Sequence, residues 1–172
     1  MTQQLLNQGN EGAFDYGIRT KINENFTELC ARPYCVRQTA DVVADESTTL
    51  ANLTGLVQTV IAGTYKFKVA LQALSTANGG TKVAFKYTTA TLTSIQCESK
   101  AFTASAVAVT RFITTTDAAS IIAATAANIC IELEGTIVVA VGGTIQVQGA
   151  QNVSHTDETT YYAGSTFELY KL

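Results

Sequence analysis

His155 is the chain's one histidine. It sits in "NVSHTDETT", close to Asp157 and Glu158. A histidine beside carboxylates can serve as a base or as part of a metal site. A catalytic metal takes about three protein ligands, and no partners for His155 stand out. The spacing fits a polar loop between strands better. Asp41, Asp45 and Glu46 form a second loose acidic group in "DVVADES". They lack the tight oxygen-ligand spacing and turn glycine of a calcium loop. Cys30 and Cys35 are separated by four residues, with Pro33 between them, and Cys97 and Cys130 stand singly. Zinc spacing normally shows two close pairs, so reduced structural thiols are expected, Cys97 and Cys130 acting as small apolar residues. Tyr34, Tyr161 and Tyr162 are candidates to face a ligand, but aromatics in a β domain more often fill the core or a subunit contact. The expectation is no catalytic residue, no metal and no cofactor.

The elements that would carry these residues fall into two parts. Phe14, Ile18, Ile22, Phe26 and Leu29 recur at spacings of four, four, four and three. That is one face of an α-helix, and Pro33 stops it. Such a helix is marginal alone and needs a surface to pack on. Residues 1–33 therefore read as an arm and an amphipathic anchor helix, and residues 34–172 as a β domain.

Beyond Pro33 the period changes to two. Tyr65, Phe67, Val69 and Leu71 share one face of a strand, and Val83, Phe85 and Tyr87 share one face of another. Asn78-Gly79 lies between them and predicts a tight hairpin turn. Further strands are expected around Ile95 and Cys97, in "AVAVTRFI", in "TIQVQGAQN" and in "STFELYKL". "NICIELEGTIVVAV" reads as two strands bent or bulged at Gly135. "TTLANLTGLVQTVIAG" reads as two short strands around Gly55, and Ala118 to Ala127 as a loop or irregular edge. About eight to ten strands without a βαβ rhythm predict an antiparallel β-sandwich or jelly roll.

Composition narrows the partners. The 172 residues carry a net charge of -3 and only 15% charged residues, against about a quarter in ordinary domains. No basic stripe is present, which argues against nucleic acid. No apolar run approaches the ~20 residues of a membrane span. The N-terminus lacks the cationic and apolar regions of a secretory leader, so synthesis and folding in a cytoplasm are expected. With few charges, part of the surface is expected to be an interface.

"GIRTKINENFTEL" then becomes specific. Lys21, Ile22, Asn23, Asn25, Phe26, Thr27, Glu28 and Leu29 resemble a KIN-x-NF-x-EL segment found near the N-terminus of tailed-phage virion proteins, ahead of a β-rich module. Cys30 departs from that pattern, standing where many relatives have an aromatic. "LTGLVQTVIAGTYKFKVAL", "NGGTKVAFKY", "IELEGTIVVAVGGTIQVQGAQN" and "YYAGSTFELYKL" resemble, in order, a trimeric jelly-roll module of the C1q/TNF-like kind. The resemblance implies a homotrimer packed through sheet faces, with the C-terminal strand inside the sheet. It implies a capsid decoration (cement) protein on the virion surface, with the major capsid protein as partner. Phe14, Ile18, Ile22, Phe26 and Leu29 would be the anchor or trimer contact, unless the helix folds back on its own sandwich. The alternative is a tail-fibre or receptor-binding module using exposed loops at Asn78, Gly79, His155 and Asp157.

Overall fold

Alternation of apolar and polar residues is the rule from Tyr34 onward, and it produces the strands that the structure describes. The computed structural model describes residues 34–102, 107–112, 119–122 and 127–172. All belong to one unit, Pro33–Leu172. The arm, the anchor helix and Cys30 lie outside the described residues.

Twelve strands are described: β1 (Tyr34–Arg37), β2 (Val42–Ala44), β3 (Ala51–Val60), β4 (Gly63–Ser75), β5 (Thr81–Thr88), β6 (Thr91–Phe102), β7 (Val107–Phe112), β8 (Ala119–Ile122), β9 (Ala127–Val141), β10 (Gly143–Ala150), β11 (Thr159–Tyr161) and β12 (Thr166–Lys171). The larger sheet runs β1-β12-β4-β9-β6-β7, with β11 and β2 continuing it beside the end of β4. The smaller runs β3-β10-β5-β8. The described pairings are antiparallel.

This is a jelly roll. Its eight framework strands are β1, β3, β4, β5, β8, β9, β10 and β12, and successive ones alternate between the two sheets except β5 and β8, which are neighbours in the smaller one. β6 and β7 are an added pair beside β9, widening the larger sheet. The C-terminal strand β12 lies between β1 and β4, paired on both sides.

The core is the set of inward residues that the alternation marks. Phe67, Val69 and Leu71 from β4, and Ile131, Leu133 and Ile137 from β9, meet Leu53, Leu56, Phe85, Ile145 and Val147 from the smaller sheet. Phe85 makes an edge-to-face contact with Phe67 (centroids 5.2 Å, planes at 82°) and a tilted one with Phe167 (6.0 Å). These three rings join the sheets, because β4 and β12 belong to one and β5 to the other.

Three expectations are corrected. Asn78-Gly79 does not close a hairpin, since β4 and β5 lie in different sheets. Residues 76–80 form a single turn in which the Gly80 amide donates to the Thr76 carbonyl (3.2 Å). The left-handed residue is Gly80 (φ 63°), not Asn78 or Gly79. β9 passes Gly135 without a break, in register with β4 from Ser75↔Ala127 to Gly63↔Val139. Gly135 is an inward position beside Phe67, and a side chain there would strike the Phe67 ring and the Gln96 carbonyl. The glycine makes room for an aromatic instead of bending the strand.

Likewise β3 is one strand through Gly55. Its pairing with β10 jumps from Val57↔Gln146 to Asn52↔Gln148, so the glycine (φ 88°) sits in a bulge. The Ala-rich segment contributes β8, an edge strand paired with β5. The edge position agrees with one of the two readings, a loop or an irregular edge; the regular strand comes from pairing in the smaller sheet, which overrides local composition.

Candidate functional site: a loop cluster at one end of the sandwich

Because framework strands cross between sheets, their connections gather at the ends of the sandwich. Three of them are bonded into one cluster: residues 45–50, 76–80 and 151–158. Gln151 is the hub and is fully buried. Its Nε2 donates to the carbonyls of His155 (2.9 Å) and Asp157 (2.6 Å). Its Oε1 accepts the amides of Ser47 (3.1 Å) and His155 (3.2 Å). The Gln151 amide donates to the Ser47 carbonyl, and the Glu46 amide to that of His155, both at 3.2 Å. Ser154 Oγ donates to the Glu46 carbonyl (2.7 Å). A buried amide with all its bonds made holds loop backbone that cannot pair in a sheet.

The turn at 76–80 joins the same cluster. The Val153 amide donates to the Gly79 carbonyl (2.8 Å). Asn78 Nδ2 donates to Asp157 Oδ2 (2.9 Å). The Asp157 amide donates to His155 Nδ1 (3.0 Å), and Asp157 Oδ2 lies 3.3 Å from that nitrogen. Asn78, Gly79, His155 and Asp157 are therefore neighbours, as a shared recognition surface requires. Their exposure differs from expectation: Asn78 is exposed, His155 and Asp157 are half-buried, and Gly79 is buried.

The other candidates fall elsewhere. Asp41 Oδ1 accepts the Ala163 amide (2.7 Å), away from the loop of Asp45 and Glu46. Tyr34 is exposed and Tyr162 half-buried, while Tyr161 is fully buried. The Tyr161 hydroxyl accepts the Ala150 amide (3.1 Å) and donates toward the carbonyls of Lys82 (2.8 Å) and Ala150 (2.9 Å). It ties β5 to β10 beneath the loops. Among the described residues, no group of three or more His, Cys, Asp and Glu is placed to hold a metal ion.

Sequence reasoning missed Gln151; Tyr161, weighed as a ligand-facing candidate against a core position, lies in the core. A signal for Gln151 was present. Ile145, Val147, Gly149 and Gln151 share one parity, so a glutamine follows the inward face of β10. A polar residue at an inward position must find bonds.

The outer face of the larger sheet is the other polar surface. Lys68 lies 3.1 Å from Glu134 and 3.9 Å from Glu132. Glu98 lies 2.9 Å from both Lys100 and Arg111. The Glu134 hydrogen bond, then the charge of Glu132, raise the Lys68 ammonium pKa. Hydrogen bonds from Lys100 and Arg111 lower that of the Glu98 carboxyl. Exposed pairs of this kind add little stability. They neutralise the face.

Cys35, Cys97 and Cys130 are free thiols. Cys97 faces the core, whereas Cys130 is half-buried on the outer face of β9, between the inward Ile129 and Ile131. Burial, with the neighbouring Glu98 adding to it, pushes the Cys97 thiol up to about 12. Burial also raises the Tyr161 hydroxyl. The unfolded chain loses the thiol proton near pH 9 and the folded chain only near 12. Unfolding thus releases a proton in that window, so stability falls as pH rises. One such group costs up to about 1.4 kcal/mol per pH unit there. The denaturant midpoint is expected to drop between pH 9 and 12, less so in Cys97→Ala. An unchanged drop in that variant would clear Cys97 of the effect. Alkylation at pH 8 should mark Cys35 well before Cys97.

No protein-family model and no curated protein matches the chain. Among solved structures it is similar to a chain of the infectious bursal disease virus Gt strain. Identity is 8% and the TM-score 0.21, covering 82% of this chain and 42% of that one. It is also similar to a chain of the Gx strain of that virus, at 13% identity and a TM-score of 0.20, covering 82% and 41%. The chain spans about two-fifths of the length of either.

Proposed function

We propose that this chain is a virion structural protein of the capsid-decoration kind. Three copies assemble about a threefold axis and bind the major capsid protein, reinforcing the shell from outside. The observation that carries this reading is a conjunction: a jelly-roll domain stands directly behind a segment resembling the KIN-x-NF-x-EL motif of tailed-phage virion proteins. The apolar stripe of the expected helix, Phe14, Ile18, Ile22, Phe26 and Leu29, supplies the anchor. The β domain supplies a rigid body with a charge-balanced face.

Gold-tagged antibody against the chain, applied to particles of the virus that encodes it, tests the placement. Label spread evenly over the head is expected. Label confined to the tail end would overturn the decoration reading. Phe26→Asp tests the anchor. It is expected to abolish particle attachment while leaving the unfolding midpoint of the β domain unchanged. Normal attachment by that variant would remove the helix from the mechanism.

One observation favours a second reading, adhesion to a host surface glycan or protein. The loop cluster is held rigid by Gln151, and rigidly positioned loops suit binding. Binding of the isolated protein to host cells or a glycan array, lost on Asn78→Ala, would select it.

A further inference from the structure

β7 ends the larger sheet, and among the described residues no strand pairs with its outer edge. Exposed edges normally carry protection: shortness, a lysine, a proline or a bulge. β1, β2 and β8 are only four, three and four residues long. β3 is longer, but it is bulged at Gly55. Its Gln58 also reaches the Tyr34 carbonyl of β1 (2.8 Å). β7 has none of these devices. It is six residues, VAVTRF, with no lysine and no proline. Its register against β6 is unbroken from Cys97↔Phe112 to Phe102↔Val107. Val107 and Val109 are 57% and 54% exposed.

We infer that the β7 edge pairs with the β7 edge of a second copy of this chain, antiparallel, joining two larger sheets into one. Charge favours that occupant. The edge carries one charge, Arg111, already bonded to Glu98 (2.9 Å). A two-fold register centred on Val109 sets Val109 against its own copy and Val107 against Arg111. No like charges meet, and one patch serves both sides of the contact. The backbone groups of both edges gain partners, and the valines lose water.

This contact is two-fold and separate from any threefold assembly, so it goes beyond the decoration reading. Its signature is a factor of two in mass. The full chain is measured by light scattering behind size exclusion, at concentrations up to on the order of 100 μM, a range that detects weak contacts. The wild type is expected to have twice the mass of the double variant Val107→Lys/Val109→Lys. That holds whether the step is dimer to monomer or hexamer to trimer. Thr110→Pro, which takes a backbone N–H out of β7, is expected to give the same halving. Far-UV circular dichroism checks that both variants stay folded. Equal mass in wild type and folded variants would overturn the inference. So would a wild-type mass that is an odd multiple of the chain. Antibody labelling of particles decides the decoration reading separately, so either can fail alone.

Discussion

Phe85→Ala is expected to destabilise the β domain by about 3–5 kcal/mol, the range for truncating a buried phenylalanine. Phe85 is fully buried and comes from the smaller sheet, while its ring partners Phe67 and Phe167 come from the larger. Its removal opens a cavity between the layers and breaks two aromatic contacts, each worth about 0.5–1.5 kcal/mol beyond burial. A domain of this kind has about 5–15 kcal/mol in total. The urea midpoint should therefore fall steeply with little change in slope. Phe85→Leu keeps most of the volume and is expected to lose about half as much. A loss under about 1 kcal/mol for the alanine variant would mean that the three rings do not hold the sheets together.

Gln151→Ala is expected to lower stability by about 3 kcal/mol and to free three loops at once. Four backbone groups bond its side chain: the amides of Ser47 and His155 and the carbonyls of His155 and Asp157. A buried group left without a partner costs about 1–3 kcal/mol. Water entering at the loop end offsets part of the sum. Amide exchange at Ser47 and His155 should accelerate together, while the centres of β4 and β9 stay protected. Gln151→Glu keeps the shape but turns an oxygen toward two carbonyls, so it should not rescue. Full protection at Ser47 in Gln151→Ala would show that backbone bonds suffice. The adhesion reading would then lose its rigid platform.

Face assignments were legible from the sequence. Tyr65, Phe67, Val69 and Leu71 share a parity and are buried, as are Val83 and Phe85. The antiparallel jelly-roll class also stands. These depend on a period of two, which is local: each residue's face follows from its neighbours along the strand. Partner choice is not local. Asn78-Gly79 has hairpin composition, yet β4 pairs with β9 and β12 while β5 pairs with β10 and β8. Gly135 reads as a break until the Phe67 ring is found beside it.

The loop cluster shows the same division. Polarity placed Asn78, His155 and Asp157 in loops, but only the tertiary fold brings Asn78 to Asp157, 79 residues away. Gln151 looked like one polar residue among many until sheet pairing buried it. The sequence by itself determined which residues face inward, because alternation is written into adjacent positions. The tertiary structure decided which strands pair and which loops meet, because those contacts join segments whose local patterns look alike.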